Sequence, residues 1–260
     1  MLEQGPRLSA LELVVNKTMD LRLAALLWLV MEHKGSIIVA AGPQRAGKTT
    51  LLMASLDFLP PEVQQVTTRG MRENFGFLQD TDPKRTMILC AEISDHVPQY
   101  YMWGTRVARM FHAISQGYSL GATMHADTPQ EVLGMLQSPP LNIPAEHLAR
   151  LTLIVNLRMA YGSRRDDSIV RRVYTVCVPG PSADDSKPLP ATIIARWNPS
   201  TDALDHTLTP QALNSLSLQL GMETTEIEGA IAERQRRLLE MQGRSVLAAQ
   251  DFRQAILAYY

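Results

Sequence analysis

Apolar positions along this chain fall into two rhythms, short unbroken runs and longer stretches with helical spacing. The runs "SIIVAA" (36–41), "TMILCAEI" (86–93), "SLGATMH" (119–125) and "TLIVNLRM" (152–159) are strand-length and largely apolar. Such runs predict strands, and the β-branched density of "SIIVAA" predicts burial on both faces. "VQQVTT" (63–68) predicts one more. Helical spacing marks "SALELVV" after Ser9 and "MDLRLAALLWLVMEHKG", with Asp20 as N-cap and Gly35 closing the element. "KTTLLMASLDFL" is a helix that stops before Pro60-Pro61, because proline cannot continue it. Residues 101–116, "PQEVLGMLQ" and "AEHLARL" are further helices. Strands alternating with helices predict an α/β fold of βαβ units around a mostly parallel sheet.

Past Met159 the pattern changes. "GSRRDDS" is a polar turn before the strand pattern starting at Ile169, which predicts a β-hairpin. "PGPSADDSKPLP" reads as a surface loop or linker. "ATIIARW" is another strand, and Thr209-Pro210 opens a helix in an N-cap and N1 arrangement. Two more helices follow, the first with Ile227, Ile231 and Leu238 along one face. The expected organisation is a short N-terminal helical segment (1–34), an α/β core (35–180), and a C-terminal strand with a helical appendage (181–260).

Composition narrows the function classes. Of 260 residues 45% are hydrophobic, enough for a core and too many for general disorder. With 25 basic against 26 acidic residues, charge gives no reason to expect nucleic acid or an anionic membrane as partner. Cys90 and Cys177 lie in apolar, β-branched surroundings and read as buried thiols of a reducing compartment. "LAALLWLVM" is half the ~20 residues that span a bilayer, and no signal-peptide pattern opens the chain. A soluble, cytoplasmic protein without a transmembrane segment is expected.

Chemistry concentrates in three places. Gly42–Thr49 match G-x-x-x-x-G-K-[ST] in a strand–loop–helix setting. Such a loop wraps backbone N–H groups around phosphates, and the following helix adds its positive dipole end. Gly42, Pro43, Gln44, Arg45, Ala46, Gly47, Lys48, Thr49 and Thr50 are therefore the candidate nucleotide cradle, against the plainer reading of a glycine-rich turn. Lys48 would bridge the β- and γ-phosphates and Thr49 would hold Mg²⁺. Glu92, closing an apolar strand, would meet the ligand at the sheet's carboxyl edge, where it can polarise the attacking water. The alternative is a solvated carboxylate, and Asp95 is a second candidate. His125, ending "ATMH", can donate to a γ-phosphate, although a lone histidine is more often structural. The other five histidines lack metal-ligand spacing, and no serine or cysteine has the setting of an activated nucleophile.

With these residues in place, the chain resembles the secretion ATPase superfamily, the motors of type II and type IV secretion and of type IV pilus and archaellum assembly. The similarity is strongest to the archaeal and tight-adherence branch. "LRLAALLWLVMEHKGSIIVAAGPQRAGKTTLLMASLDFLPPE" resembles the stretch around that family's Walker A loop, and "ILCAEISD" its Walker B. "ATMHADTPQEV" resembles its histidine box. "SPPLNIPAEHL", "IAERQRRLLEMQ" and "FRQAILAYY" are similar to later segments. The resemblance implies a RecA-like P-loop core, ATP and Mg²⁺ as ligands, and catalytic roles for Lys48, Glu92 and His125. It also implies a ring, usually a hexamer, with nucleotide at subunit interfaces, working on a membrane platform protein at the inner membrane.

The departures are specific. The family's N-terminal domain, which covers the nucleotide and supplies arginines, has no counterpart in the short segment before the first strand. "TTRGMREN" keeps Arg72 and Glu73 but no aspartate where the family has its aspartate box, and Ser94 replaces the arginine of the Walker B tail. The stretch between Gly76 and Thr86 looks shortened. Arg106 and Arg109 are either arginine fingers or a solvated helix face. Three readings follow: an ATP-hydrolysing motor, a nucleotide-binding partner or regulator with little hydrolysis, and, against the charge balance, a DNA-directed ATPase.

Overall fold

The computed structural model describes residues 7–96, 98–161, 169–181 and 189–260. The expected polar turn at 162–168 and the 182–188 part of the proline-rich loop lie outside them. Five strands, β1 (Ser36–Ala40), β2 (Gln64–Thr67), β3 (Thr86–Ile93), β4 (Ser119–Met124) and β5 (Leu151–Tyr161), run parallel in the order β2-β3-β4-β1-β5. Three more, β6 (Ile169–Pro179), β7 (Ala191–Asn198) and β8 (Ala203–His206), continue the same eight-stranded sheet antiparallel. The fold is therefore mixed α/β with a mostly parallel sheet. The strands on either side of residue 181, β6 and β7, pair directly in this sheet.

The central strands are apolar because both their faces are covered. In β1 Ile37 and Val39 point into one core, Ile38 and Ala40 into the other, the two-residue period of a pleated strand. The first core is covered by α1 (Ala10–Val15), α2 (Leu21–Glu32), α3 (Lys48–Leu56), α7 (Pro210–Leu220), α8 (Thr224–Gly243) and α9 (Ala249–Leu257). The second lies under α4 (Thr105–Ser115), α5 (Pro129–Gln137) and α6 (Ala145–Leu148). An aromatic cluster ties the chain ends together: Trp28 of α2 stacks on Phe58 at 5.5 Å, and Phe58 meets Phe252 of α9 edge-on at 5.5 Å.

Ser9 and Glu12 form a capping box at α1, and Asp20, Thr128 and Thr209 each accept an N–H bond from the first turn of α2, α5 and α7. Ile227, Ile231 and Leu238 of α8 are all buried. Ile231→Val removes one methylene from this contact, and chemical denaturation should register a loss of about 0.5–1.5 kcal/mol.

Three local expectations are corrected, and one strand is added. Gly35 does not turn the chain after α2: Lys34 takes the left-handed conformation (φ 57°), and the Gly35 N–H bonds Val30 O at 2.7 Å. Gly35 is needed for space, since a Cβ there would stand 2.6 Å from Val30 Cγ1. The helix after the phosphate-loop motif ends at Leu56, not Leu59. The helix expected from residue 101 starts at Thr105, after Gly104 at φ 66°. Instead Met102 lies alongside the end of β3, its N–H bonding Glu92 O at 2.9 Å and its carbonyl accepting from Ser94 N–H at 3.1 Å. Finally β8 follows β7 through a turn in which Asp202 has φ 50°, a strand too short to stand out in the sequence.

Cys90 and Cys177 are buried and unpaired, and burial pushes both thiols up to about 12, so neither is a nucleophile. Among the described residues, no helix is long and apolar enough to cross a membrane.

Candidate active site

The strand order decides what meets. β4 lies between β1 and β3, and all three run parallel, so the loop after β1, Glu92 on β3 and His125 after β4 share one edge. This is the carboxyl edge, where ligands of α/β sheets bind.

The loop leaves β1 and enters α3 through two left-handed residues, Arg45 (φ 60°) and Gly47 (φ 96°). Gly47 occupies the N-cap of α3 but has no side chain to bond the first turn. The N–H of Leu51 bonds Gly47 O at 3.0 Å. The amides of Lys48, Thr49 and Thr50 precede that bond and are the orphan donors of a helix start, suited to an anion. Gln44 through Thr50 line a cavity of about 800 Å³, whereas Gly42 and Pro43 stand outside its lining. Gly42 serves another contact: its N–H reaches Asp127 Oδ1 at 3.2 Å, and a Cβ there would lie 2.3 Å from that oxygen.

Inside the cavity Lys48, Glu92 and His125 converge. Lys48 Nζ is 3.7 Å and His125 Nε2 3.9 Å from Glu92 Oε1. The side chains of Lys48 and Glu92 are each 7% exposed. Glu92 Oε2 accepts a hydrogen bond from Thr123 Oγ1 at 2.7 Å, while the buried Oε1 accepts no hydrogen bond and is held only by the ion pair to Lys48. Burial pulls the Lys48 ammonium below its ordinary pKa, and the neighbouring Glu92 partly opposes this. His125 Nδ1 lies 3.1 Å from Gly42 O. A carbonyl only accepts, so Nδ1 carries the hydrogen, and Nε2 of the neutral ring is then an acceptor. His125 can donate through Nε2 only as an imidazolium, a condition the sequence could not show.

Other candidates lie elsewhere. The Asp95 side chain is 70% exposed and borders a separate groove with Trp103 and Glu131. Arg106 Nε donates to Glu73 O at 3.2 Å, and Arg109 sits 5.2 Å over the Phe75 ring. Both arginines are exposed, brace the loop after β2, and are outside the cavity lining. Glu73 is a buried brace in that loop, accepting N–H bonds from Arg69 at 2.8 Å and Phe75 at 2.5 Å. Arg72 is exposed.

Sequence reasoning missed three contributors. Tyr100 and Tyr101 line the cavity because the 98–103 segment folds back beside β3. Arg171, on β6, also lines it, donates Nε–H to Arg45 O at 3.1 Å and lays its Cδ 3.2 Å from where a Gly47 Cβ would be. Nothing in the local pattern of "VRRVY" marks that arginine, since only strand pairing brings it to the loop.

The residues fit a nucleotide phosphate: a left-handed glycine cradle, free helix-start amides and a buried lysine. For a divalent cation the fit is partial. Among the described residues, no three His, Cys, Asp or Glu side chains are grouped to hold a metal. Thr49 and Glu92 border the cavity, which suits a cation taking its other ligands from phosphate and water.

No protein-family model matches the chain. The uncharacterized protein MJ1287 of Methanocaldococcus jannaschii is 30% identical over 226 residues, covering 79% of this chain and 81% of that protein. Among solved structures, the VirB11 ATPase from the Brucella suis type IV secretion system overlaps at a TM-score of 0.40, with 18% identity, over 61% of this chain and 52% of that one. The ATPase DotB of Yersinia pseudotuberculosis overlaps at a TM-score of 0.43, with 12% identity, over 89% of this chain and 60% of that one. The chain thus spans about half to three fifths of the length of these two solved proteins. It belongs to the same protein family as MJ1287.

Proposed function

We propose that this chain binds ATP in the loop 42–50 and hydrolyses it, as the motor core of a secretion or type IV pilus-like assembly machine. The observation that carries the hydrolytic reading is Glu92 Oε1, a buried carboxylate oxygen that accepts no hydrogen bond and is held only by a long ion pair to Lys48, with His125 beside it at the phosphate cradle. A carboxylate oxygen in this position can accept a hydrogen bond from an attacking water.

In this mechanism the loop amides and the start of α3 hold the phosphates. Lys48 turns from Glu92 to the β- and γ-oxygens, which frees Glu92 to accept a proton from water as that water attacks the γ-phosphorus. The bond from the γ-phosphorus to the β–γ bridging oxygen breaks, releasing ADP and phosphate. His125, as imidazolium, pairs with a γ-oxygen through Nε2 and holds Gly42 through Nδ1, linking the terminal phosphate to the loop itself. A Mg²⁺ held by the Thr49 hydroxyl would supply charge neutralisation at the phosphates.

The resemblance of the sequence blocks supports the rest. The chain would work as a ring, with nucleotide between subunits and a membrane platform protein as partner, on the cytoplasmic side of the inner membrane. Phosphate release measured across a protein concentration series tests this. The motor reading expects a rate per protomer that rises with concentration as rings form, and that DNA does not stimulate. A nucleotide-binding partner with little turnover is the second reading, favoured by the engagement of Glu73 with backbone amides in place of an acidic group at the site. Tight ATP binding without phosphate release at any concentration would select it.

A further inference from the structure

Thr123 sits on β4, fully buried, two residues before His125. Its hydroxyl lies 2.7 Å from Glu92 Oε2 and 2.5 Å from Ala91 O. A hydroxyl has one hydrogen to donate, and both neighbours are acceptors when Glu92 is ionised. Only one of the two bonds can therefore be made at a time, and both acceptors lie within reach of rotation about a single Cβ–Oγ1 bond.

We infer that Thr123 is a positioning residue for hydrolysis, a two-position catch that holds and releases Glu92. The inference rests on the hydrolytic reading of Glu92 given above. When the hydroxyl donates to Oε2, one carboxylate oxygen is fixed, and Oε1 is turned toward Lys48 and His125. When it donates to Ala91 O, its hydrogen bond is kept while the carboxylate is freed to rotate. Switching leaves the hydroxyl with an acceptor in either position, and the cost falls on Glu92 Oε2, which must then find its donor in water or in Lys48.

The geometry favours this over a purely structural threonine. The Ala91 carbonyl alone would satisfy a purely structural buried hydroxyl, yet this one also lies within hydrogen-bond distance of Glu92. Register fixes the approach: Cys90 pairs with Ala122, and the β3–β4 ladder then shifts before Ile93 pairs with Met124, so Ala91 and Glu92 fall in the irregular step opposite Thr123. That irregularity presents both the Ala91 carbonyl and the Glu92 side chain to one hydroxyl.

Thr123→Val keeps the shape and removes the hydroxyl, while Thr123→Ser keeps the hydroxyl. For the valine variant, kcat should fall about 10- to 100-fold with KM for ATP nearly unchanged, the size expected for losing one hydrogen bond to a charged group. Serine should restore most of kcat. A wild-type rate in the valine variant, or a serine variant as slow as valine, overturns the inference while leaving hydrolysis by Glu92 intact. A crystal structure of the valine variant gives a readout independent of turnover. The Glu92 carboxylate should leave its wild-type orientation, and an unmoved carboxylate overturns the inference even if the wild type proves not to hydrolyse ATP.

Discussion

Glu92→Gln should reduce phosphate release about a hundred- to ten-thousand-fold and leave ATP binding intact, the range over which a positioned general base contributes. Glutamine matches the size of glutamate and keeps an oxygen for Thr123, so packing at the end of β3 is preserved. What is lost is the buried carboxylate oxygen that accepts no hydrogen bond and stands beside Lys48 and His125. Removing a negative charge from a cavity lined by Lys48, Arg45, Arg171 and Arg172 leaves nucleotide affinity equal or higher. Single-turnover phosphate release, paired with a fluorescent-nucleotide titration, separates the two effects. A variant that still turns over at the wild-type rate would remove Glu92 from the chemistry.

Lys48→Ala should weaken binding of the triphosphate at least about a hundredfold, because a buried cation aimed at the phosphates is worth several kcal/mol once its partner is desolvated. It should also destabilise the ligand-free protein. Glu92 would be left as a buried carboxylate without a counter-charge, at a cost of about 3–5 kcal/mol for breaking such a pair. The double variant Lys48→Ala/Glu92→Gln removes that stranded charge. Its melting temperature should therefore recover toward wild type while nucleotide binding stays lost. Thermal denaturation of the two singles and the double forms the cycle. Additive losses would mean the two groups do not interact in the folded protein.

How much of this was legible before the fold was known follows a physical rule. Short-range signals carried well. The strand–loop–helix order from β1 to α3, the apolar β3 that carries Glu92, and the caps Asp20 and Thr209 depend on neighbours a few residues away. The convergence of Lys48, Glu92 and His125 was legible because parallel strands in one sheet end on one edge. Signals that depend on distant pairing did not carry. "YMW" continues the helical spacing of α4, but Gly104 breaks the helix, and Met102 gains backbone bonds to β3 that no local pattern announces. Arg171 reaches the loop only through β5–β6 pairing, which brings β6 into the sheet. Ser94, read only as a lost arginine, instead bonds the His96 ring at 2.5 Å, and that ring packs edge-on to His125 at 5.8 Å. The tautomer of His125 depended on a carbonyl 83 residues away, that of Gly42.

The most direct test is a crystal structure of the chain with Mg²⁺ and a non-hydrolysable ATP analogue. Lys48 Nζ and His125 Nε2 should lie within hydrogen-bond distance of the γ-phosphate, with Glu92 Oε1 bonded to a water lined up on the γ-phosphorus. A triphosphate seated on the loop with Glu92 still paired to Lys48, and His125 out of reach, would contradict it.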